Sequence, residues 1–223
     1  MARSELDLEN RKKAFINKVN KTKYCRINAF KRCSEWRMFL IFVSFIYNIG
    51  LVVISILSIS VFREVFLLNV VVAILSVVVF AISLFVSSLD YGRKANEYCR
   101  CYQALEELIR DANICNSSSN FNQIEEKYNT ILEFSLNHEE CDYWKLMNEY
   151  PNGYLSFMQK DDGTMISEEE AKEECKRFNR DIQKKYNEYV AKKDLFMAVL
   201  TGFVFYPFYL VFIMIIRRKN GKK

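Results

Sequence analysis

The feature that most constrains this chain is an apolar stretch from Met38 to Leu89, interrupted only by the adjacent charges of Arg63 and Glu64. The hydrocarbon core of a bilayer is about 30 Å thick, and a helix crosses it with roughly 20 apolar residues. The stretch holds about two such lengths, which is rare in water-soluble proteins. Charges are costly at bilayer depth and cheap at the headgroups. The sequence therefore predicts a transmembrane helical hairpin over residues 38–89 with the two charges at its tip, rather than two buried helices of a soluble protein.

The distribution of charge predicts which parts of the chain lie in the cytosol. Residues 1–37 contain eleven Lys or Arg and four Asp or Glu, whereas residues 90–194 contain fifteen and twenty-two. Lys and Arg collect on the cytoplasmic side of membrane spans. We therefore expect residues 1–37 to form a basic cytosolic N-terminal helix, which places the N-terminus in the cytoplasm and the hairpin tip outside. Residues 90–194 then form an acidic cytosolic domain, whose length is typical of one small domain.

A third apolar stretch, residues 195–216, precedes a basic tail, residues 217–223. The stretch is long enough to span a bilayer, and Pro207 near its centre predicts a kink. One interpretation is a third transmembrane helix, which places the basic tail outside, against the usual charge rule. The other is a re-entrant or interfacial segment that bends at Pro207 and keeps both of its ends inside.

The cytosolic domain is predicted to be helical throughout, and the whole chain all-α, because no segment alternates apolar and polar residues with the period of a strand. Residues 94–114 and 121–136 have apolar faces at helical spacing, and the first of these helices is expected to continue the second span. Ser167 and Glu170 form a capping-box pattern at the start of a long helix that runs into the third apolar stretch. The stripe on this helix packs inside the protomer or between protomers. Its residues are Ala171, Cys175, Phe178, Ile182, Tyr186 and Tyr189.

The basic arm before the first span interleaves its charges with apolar residues, which include Phe15, Val19, Ile27 and Phe30. A basic, weakly amphipathic helix beside a span can lie against anionic lipid headgroups. Alternatively, it can pack on the cytosolic domain. Nucleic-acid binding is another use of such a charge run, but we do not expect it here because no Gly-rich or aromatic stacking motif accompanies the charges.

Residues capable of metal or acid–base chemistry are sparse. A zinc site would require the single histidine, His138, to converge with Cys99, Cys101 and Cys141, yet two cysteines two positions apart on a helix point in different directions. The alternative is a turn held by hydrogen bonds among Asn137, His138, Asp142 and Tyr143. The seven cysteines show no spacing framework and are expected to be reduced thiols. No phosphate-binding loop, dinucleotide fingerprint or nucleophile elbow occurs, so we expect no cofactor, no metal and no enzymatic activity.

Small polar residues lie along one face of each predicted span, at separations of three, four and seven positions. They are Ser44, Asn48, Ser55 and Ser58 in the first span, and Asn69, Ser76, Ser83 and Ser87, together with Ala73, in the second. A pivot between residues 63 and 64 brings Ser44 opposite Ser83 and Ser58 opposite Asn69. These faces either seal the hairpin by close packing and hydrogen bonds or, in an oligomer, line an uncharged pore with little ion selectivity.

Three stretches of the chain resemble a known family. They are YCRINAFKRCSEWR before the first span, SSLDYGRKANEYCRCYQALEELI after the second, and YNTILEFSLNHEECDY in the cytosolic domain. Together they are similar to the SLATT domain, a two-span effector associated with SMODS nucleotide cyclases and SLOG sensors in bacterial conflict systems. The third stretch is most like the fifth SLATT sub-family, in which an Asn-His pair precedes an Asp-Tyr pair. These motif residues are Asn137, His138, Asp142 and Tyr143, and the likeness covers roughly residues 10–195.

What the resemblance implies is a pore-forming or membrane-disrupting effector of an anti-phage conflict system. Such an effector would form a homo-oligomer in the bacterial inner membrane and arrest the infected cell, as in abortive infection. Its cytosolic part would receive a signal from an enzyme or sensor encoded nearby, such as a nucleotide cyclase or a reverse transcriptase. The family supplies no catalytic residues to carry over. The alternative function is a non-conducting membrane anchor or scaffold that presents the acidic helical domain to a cytosolic partner.

Overall fold

The computed structural model describes residues 2–60, 66–150 and 168–220, and every regular element within these ranges is an α helix. The helices are α1 (Ala2–Ser60), α2 (Phe66–Ser88), α3 (Tyr91–Ile114), α4 (Ser118–Glu133), α5 (Glu140–Glu149) and α6 (Glu168–Asn220). Two helical stretches, Leu8–Ile56 and Ala73–Ile114, contain segments long and apolar enough to cross a membrane. The predicted all-α membrane fold is therefore confirmed.

The chain divides into two compact units, and α1 and α6 each contribute residues to both. Unit 1 consists of Met1–Ser34 and Gly92–Val190, and unit 2 consists of Glu35–Tyr91 and Ala191–Lys223. The finer division into a basic helix, a hairpin, an acidic domain, a third apolar helix and a tail remains a prediction.

The core of unit 1 forms where the first part of α1 packs against α3 and α4. Phe15 is at its centre, with its ring edge-on to the rings of Phe121 and Tyr128 at centroid distances of 5.3 and 5.6 Å. Val19 and Leu105 are fully buried beside it. Because the apolar side of the basic arm is buried in this core, it is unavailable to lipid. The interpretation of this arm as a helix lying on headgroups is wrong, and the structure shows the arm packed on α3 and α4 of unit 1.

The hairpin of unit 2 is held by a second core. Val43 and Tyr47 of α1 are buried against Val79 of α2, and Leu200 of α6 packs against the same cluster. The Ser44 and Ser83 hydroxyl oxygens lie 3.5 Å apart. The predicted register for this pair is confirmed, because two antiparallel helices joined by a short turn place positions with a constant sum at equal depth. The tip residues Arg63 and Glu64 lie outside the described residues.

Two expectations about helix boundaries differ from the structure. The helix after the second span is not a continuation of it, because α2 ends at Ser88 and α3 begins at Tyr91. Between them Asp90 has a left-handed backbone conformation with φ of 51°, which ends a right-handed helix and which Asp tolerates better than most residues. In addition, the short helix α5 follows the Asn-His pair, where the sequence indicated only a turn.

The long C-terminal helix agrees with its prediction. α6 runs without a break from Glu168 to Asn220, through the third apolar stretch. Its stripe packs inside unit 1 at Ile182, which is buried, while Phe178, Tyr186 and Tyr189 are half-buried. Ser167, the first residue of the predicted capping box, lies outside the described residues.

Candidate functional site

The start of α5 is built around one buried carboxylate. Asp142 is the third residue of the helix, and its Oδ2 accepts a hydrogen bond of 3.0 Å from the backbone N–H of Glu139. The bond satisfies one donor at a helix start, where backbone N–H groups have no partner within the helix. A carboxylate there is also favoured by the helix dipole. Asp142 is only 2% exposed, so this local arrangement fixes a negative charge inside unit 1.

Arg32 of α1 neutralises that charge. Its Nε donates to Asp142 Oδ1 at 2.9 Å and its Nη2 donates to Asp142 Oδ2 at 3.0 Å, while Nη1 reaches Glu139 Oε1 at 2.8 Å. Burial by itself would lower the Arg32 pKa, but the hydrogen bonds and charge of Asp142 outweigh it and raise that pKa. Asn28, one turn earlier on α1, donates to the Asp142 carbonyl at 3.1 Å. The result is a bidentate, charge-assisted ion pair that joins α1 to α5.

A second buried cation, Arg26, lies against the residues that precede α5. Its Nη1 is 3.2 Å from His138 Nδ1 and 3.4 Å from Asn137 Oδ1. A guanidinium only donates, so Nδ1 is the acceptor and the His138 proton sits on Nε2. Burial, followed by the charge of Arg26, lowers the pKa of His138 and favours the neutral ring. Tyr98 of α3 donates to the Asn137 carbonyl at 2.8 Å and completes the attachment.

The four motif residues, which lie before and within α5, share one property: each contacts a basic side chain of α1. The pairs are Asn137 and His138 with Arg26, Asp142 with Arg32, and Tyr143 with Lys21, whose Nζ lies 5.0 Å from the ring centroid. The motif is therefore the surface by which α5 and the residues before it contact α1, over the turns that directly precede the apolar stretch.

The buried thiols around this surface are protonated. Burial raises the pKa of both Cys25 and Cys141 to about 11, and it also raises the pKa of Cys33. The thiolate is the nucleophile and the metal ligand, so these three side chains behave as small apolar groups at neutral pH. The half-buried Tyr189 of α6, which is hydrogen-bonded to Cys141, has its pKa raised chiefly by burial.

The four residues of the alternative zinc site do not converge on a shared centre. Cys101 belongs to the core around Phe15, and Cys99 Sγ lies 3.6 Å from the hydroxyl of Tyr102. His138 faces the cation Arg26, which disfavours a metal at the same nitrogen. Within the described part of the chain, no three His, Cys, Asp or Glu side chains form a group that could hold a metal ion.

The polar residues of the spans separate into two groups. Ser44 and Ser83 face each other inside the hairpin, and Ser55 is half-buried. By contrast, Asn48, Ser76 and Ser87 are exposed on the outer surfaces of α1 and α2. The side chains of Ser58 and Asn69 lie outside the described residues. The hairpin thus uses part of the predicted polar face for its own packing and exposes another part.

Aromatic side chains cluster at the start of unit 2. The indole of Trp36 stacks on Tyr91 at 6.4 Å and meets Phe196 edge-on at 5.8 Å. Beside it, Lys193 Nζ donates to Glu35 Oε2 at 2.7 Å. Amphipathic aromatic rings and charged side chains are typical of the membrane–water interface.

Sequence reasoning found the motif but missed its partners on α1. Arg26 and Arg32 were included in the charge count of the basic arm, and Asn28 lies with them in the stretch YCRINAFKRCSEWR, but none of the three was given a partner. The signal that could have identified them is the separation of four positions between Asn28 and Arg32, which places both on one helical face. That face lies next to the buried positions Cys25 and Ala29. A basic residue within an otherwise apolar face points to a buried acidic partner.

Comparison with protein families identifies a match that covers most of the chain. The sequence model of the SMODS and SLOG-associating 2TM effector domain family 5 matches residues 8–216. The match covers all six helices in part or in full, including the motif and its α1 partners. No curated protein and no solved structure matches the chain.

Proposed function

The chain belongs to the SMODS and SLOG-associating 2TM effector domain family 5, and from that premise we propose that it is a pore-forming effector of a bacterial anti-phage system. In this proposal, copies of the chain associate in the inner membrane and open a weakly selective path for ions. The resulting loss of membrane potential arrests the infected cell.

The observation that best supports the proposal is the amino-acid composition of the apolar helices, which is uncharged and includes small polar residues. No Asp, Glu, Lys, Arg or His occurs from Met38 to Leu89 apart from the tip pair Arg63 and Glu64. A charged-substrate path or a proton relay through the membrane needs such groups. An assembly of helices that expose small polar side chains needs none, and its lining would be mildly polar and weakly selective. Ser76 and Ser87 of α2 supply such side chains.

Enzymatic activity is not part of the proposal. The thiols described above are protonated, the single histidine is half-buried against Arg26, and the buried carboxylate of Asp142 is paired with Arg32. General acid–base catalysis requires a group that is reachable and titrates near the working pH. We therefore assign Arg32, Asp142 and their neighbours to the control of α1 and not to a reaction.

Control is assigned to unit 1. α1 is one helix that carries both Arg32 and the first apolar span, so a change in the contacts of Arg32 acts on the span through a continuous element. We expect the activating signal to come from a protein encoded nearby, such as a nucleotide cyclase or a reverse transcriptase, and to act on unit 1. The signal would weaken the hydrogen bonds and the ion pair that join α5 to α1.

The proposed topology has three spans, with the N-terminus in the cytoplasm. Along unit 2, successive positions of α1 meet successive positions of α6: Glu35 meets Lys193, Trp36 meets Phe196, and the Val43 cluster meets Leu200. The two helices therefore run in the same direction and enter the membrane from the same side. At 1.5 Å per residue, residues 195–216 extend about 33 Å, enough to cross a core of about 30 Å.

Reporter fusions test the topology. An alkaline phosphatase fused after Lys223 is expected to be active outside the cytoplasm, and green fluorescent protein at the same place is expected to be dark. The reverse pattern would contradict a third span and support a re-entrant segment. Fusions at the N-terminus serve as the cytoplasmic control.

Membrane potential tests the function. Cells that express the chain together with its trigger are expected to lose the signal of a potential-sensitive dye before they lose viability. A variant with Asn48 and Ser76 both changed to leucine is expected to depolarise cells more slowly, whereas Ile74→Leu, at an exposed apolar position of α2, serves as the matched control. Growth arrest at full potential would contradict the pore.

That contrary result would favour the second candidate function, a membrane scaffold. Unit 1 has a core of its own around Phe15, Leu105 and Phe121, so it is built to present a folded surface to a cytosolic partner. A scaffold predicts that leucine at Asn48 and Ser76 leaves the arrest of growth unchanged.

A further inference from the structure

Asn48 is a polar side chain on the outer surface of the first span. The face of α1 that packs in the hairpin core carries Val43, Tyr47 and Ile54, all of which are buried. Asn48 lies on a different side of the helix and is exposed. Its neighbours on that side are exposed apolar residues: Ile41, Phe45, Ile49 and Val52.

The position is close to the middle of the bilayer. Asn48 follows Met38, the first residue of the apolar stretch, by ten positions, which is about 15 Å of helix and half of a core of about 30 Å. The residue at the matching depth on α2 is Val79, which is buried in the hairpin core and offers no polar group. Lipid tails offer none either.

The hydrogen bonds of Asn48 are incomplete. Its Nδ2 donates to the Ser44 carbonyl at 2.7 Å and approaches Ser44 Oγ at 3.5 Å, the limit of a useful contact. A carboxamide has two N–H donors and an oxygen with two lone pairs. Among the described residues no donor reaches Asn48 Oδ1, and a polar atom in that state is costly in hydrocarbon.

We propose that Asn48 is the centre of a self-association surface on α1 whose occupant is α1 of a second copy of the chain. One N–H and the Oδ1 of each amide remain available, and that pair is complementary to itself. Across a two-fold axis, each Oδ1 accepts a hydrogen bond from the Nδ2 of the other copy. The remaining N–H and the Oδ1 of both amides therefore gain partners at the same time. The apolar neighbours supply the packing around the amide pair.

This inference deepens the proposed function, because it names the contact by which copies assemble, and it rests on that function only for the claim that the assembly conducts. The geometry also separates it from the pore lining. An amide pair between two α1 helices is enclosed by Phe45 and Val52 and does not face water. The lining is assigned to α2, on which Ser76 and Ser87 are exposed.

Cysteine cross-linking in native membranes tests the surface. The Asn48→Cys variant of the full chain, oxidised with copper phenanthroline, is expected to give a disulfide-linked dimer well above the background of the parent chain. The Phe80→Cys variant is the matched control, because Phe80 is exposed on α2 at a similar depth. Cross-linking of the Phe80 variant alone, or of neither variant, would overturn the proposal.

A second measurement removes any dependence on cysteine chemistry. Energy transfer between differently labelled copies in liposomes is expected to show about tenfold weaker association for Asn48→Leu, the loss of a pair of membrane hydrogen bonds. Asn48→Gln, which keeps the amide, should restore most of it. Unchanged association of the leucine variant would overturn the proposal.

Thiol labelling distinguishes the occupants. A membrane-impermeant, water-soluble thiol reagent is expected to label Asn48→Cys slowly in the triggered state, because a second α1 covers it. Rapid labelling would mean that the residue faces a water-filled lumen and would overturn the proposal. If the parent chain depolarises cells and Asn48→Leu changes neither association nor depolarisation, the self-association surface is contradicted and the pore is not. If Asn48→Cys cross-links but the chain does not depolarise cells, the pore is contradicted and the surface is not.

Discussion

Arg32 and Asp142 form a buried, two-pronged ion pair, with Nε–Oδ1 and Nη2–Oδ2 distances of 2.9 and 3.0 Å. The side chains are 11% and 2% exposed, and the two residues are 110 positions apart in the chain. The pair connects the helix that enters the membrane to the last short helix of unit 1 that precedes α6. The stability of this connection is the first property to measure.

Removing one partner of the pair should strongly destabilise unit 1. Asp142→Asn leaves the Arg32 guanidinium with only the exposed Glu139 carboxylate as a counter-charge, and we expect a loss of about 3 kcal/mol in the free energy of unfolding, the lower end for a broken buried pair. The matched control is Arg11→Ala, which breaks the partly exposed Arg11–Glu125 pair and should cost about 1 kcal/mol or less. Chemical denaturation of the detergent-solubilised chain measures both. Equal losses for the two variants would contradict a special role of Arg32.

The same ion pair should restrain the effector before it is triggered. At equal expression and insertion, a partly destabilised variant such as Arg32→Lys, which keeps the charge and loses the two-pronged geometry, is expected to depolarise cells without the trigger. Arg11→Ala should behave like the parent chain. The dye signal in untriggered cells measures this, and an unchanged potential with Arg32→Lys would show that the pair has no regulatory part.

Histidine 138 should make stability depend on pH. Its pKa in the folded chain is below the ordinary value of 6.5, because of burial and the charge of Arg26. Between the two values the unfolded chain binds more protons, so stability falls as pH decreases from about 6.5 to the folded pKa. Above about pH 7 the ring is neutral in both states and the full stability is present. Lys21 also opposes protonation, and Asp142 favours it.

His138→Gln isolates this contribution. Its amide oxygen can accept from Arg26 without titrating, so we expect a smaller drop in the melting temperature between pH 7.5 and 5.5 than in the parent chain. Melting curves at the two pH values measure the difference. An equal drop in both chains would assign the pH dependence to other groups.

Cys25 and Cys141 should be nearly inert towards alkylation in the folded chain. With pKa values raised to about 11, their thiolate fraction at pH 7.5 is about 100-fold smaller than that of an ordinary thiol. Mass spectrometry after timed treatment with iodoacetamide, compared with the denatured chain, gives the rates. Modification of either residue at the denatured rate would contradict the buried environment.

Asp90 should tolerate glycine better than alanine. Its φ of 51° costs an L-residue with a Cβ about 1–2 kcal/mol, and glycine adopts it freely. Both substitutions remove the carboxylate, so the difference between them isolates the backbone. We expect Asp90→Gly to be more stable than Asp90→Ala by about 1 kcal/mol in thermal or chemical unfolding. No difference would mean that the break between α2 and α3 is not strained.

The parts of the fold that depend on short-range pattern were predictable. Apolar length predicts the hairpin, and the constant-sum register of two antiparallel helices predicts that Ser44 faces Ser83, which lie 3.5 Å apart. The uninterrupted α6 follows from a helical pattern without a breaker before Pro207. These features need no knowledge of what lies far away in the chain.

The remaining features depend on contacts over long distances or on one backbone angle. The sequence does not indicate that Arg32 pairs with Asp142. The two residues lie 110 positions apart, and a count of charges does not show which of them come into contact. The break at Asp90 was missed because Asp90 was considered only as a charge. Helix α5 is ten residues long, too short to show periodicity, and it depends on the capping of Glu139 by Asp142.

Conductance of the purified chain in a planar lipid bilayer tests the central claim most directly. The account predicts stepwise, weakly selective currents when the chain is inserted together with its trigger, and slower or smaller currents for the variant with leucine at Asn48 and Ser76. A bilayer that stays silent with correctly inserted, oligomeric and triggered protein would contradict it.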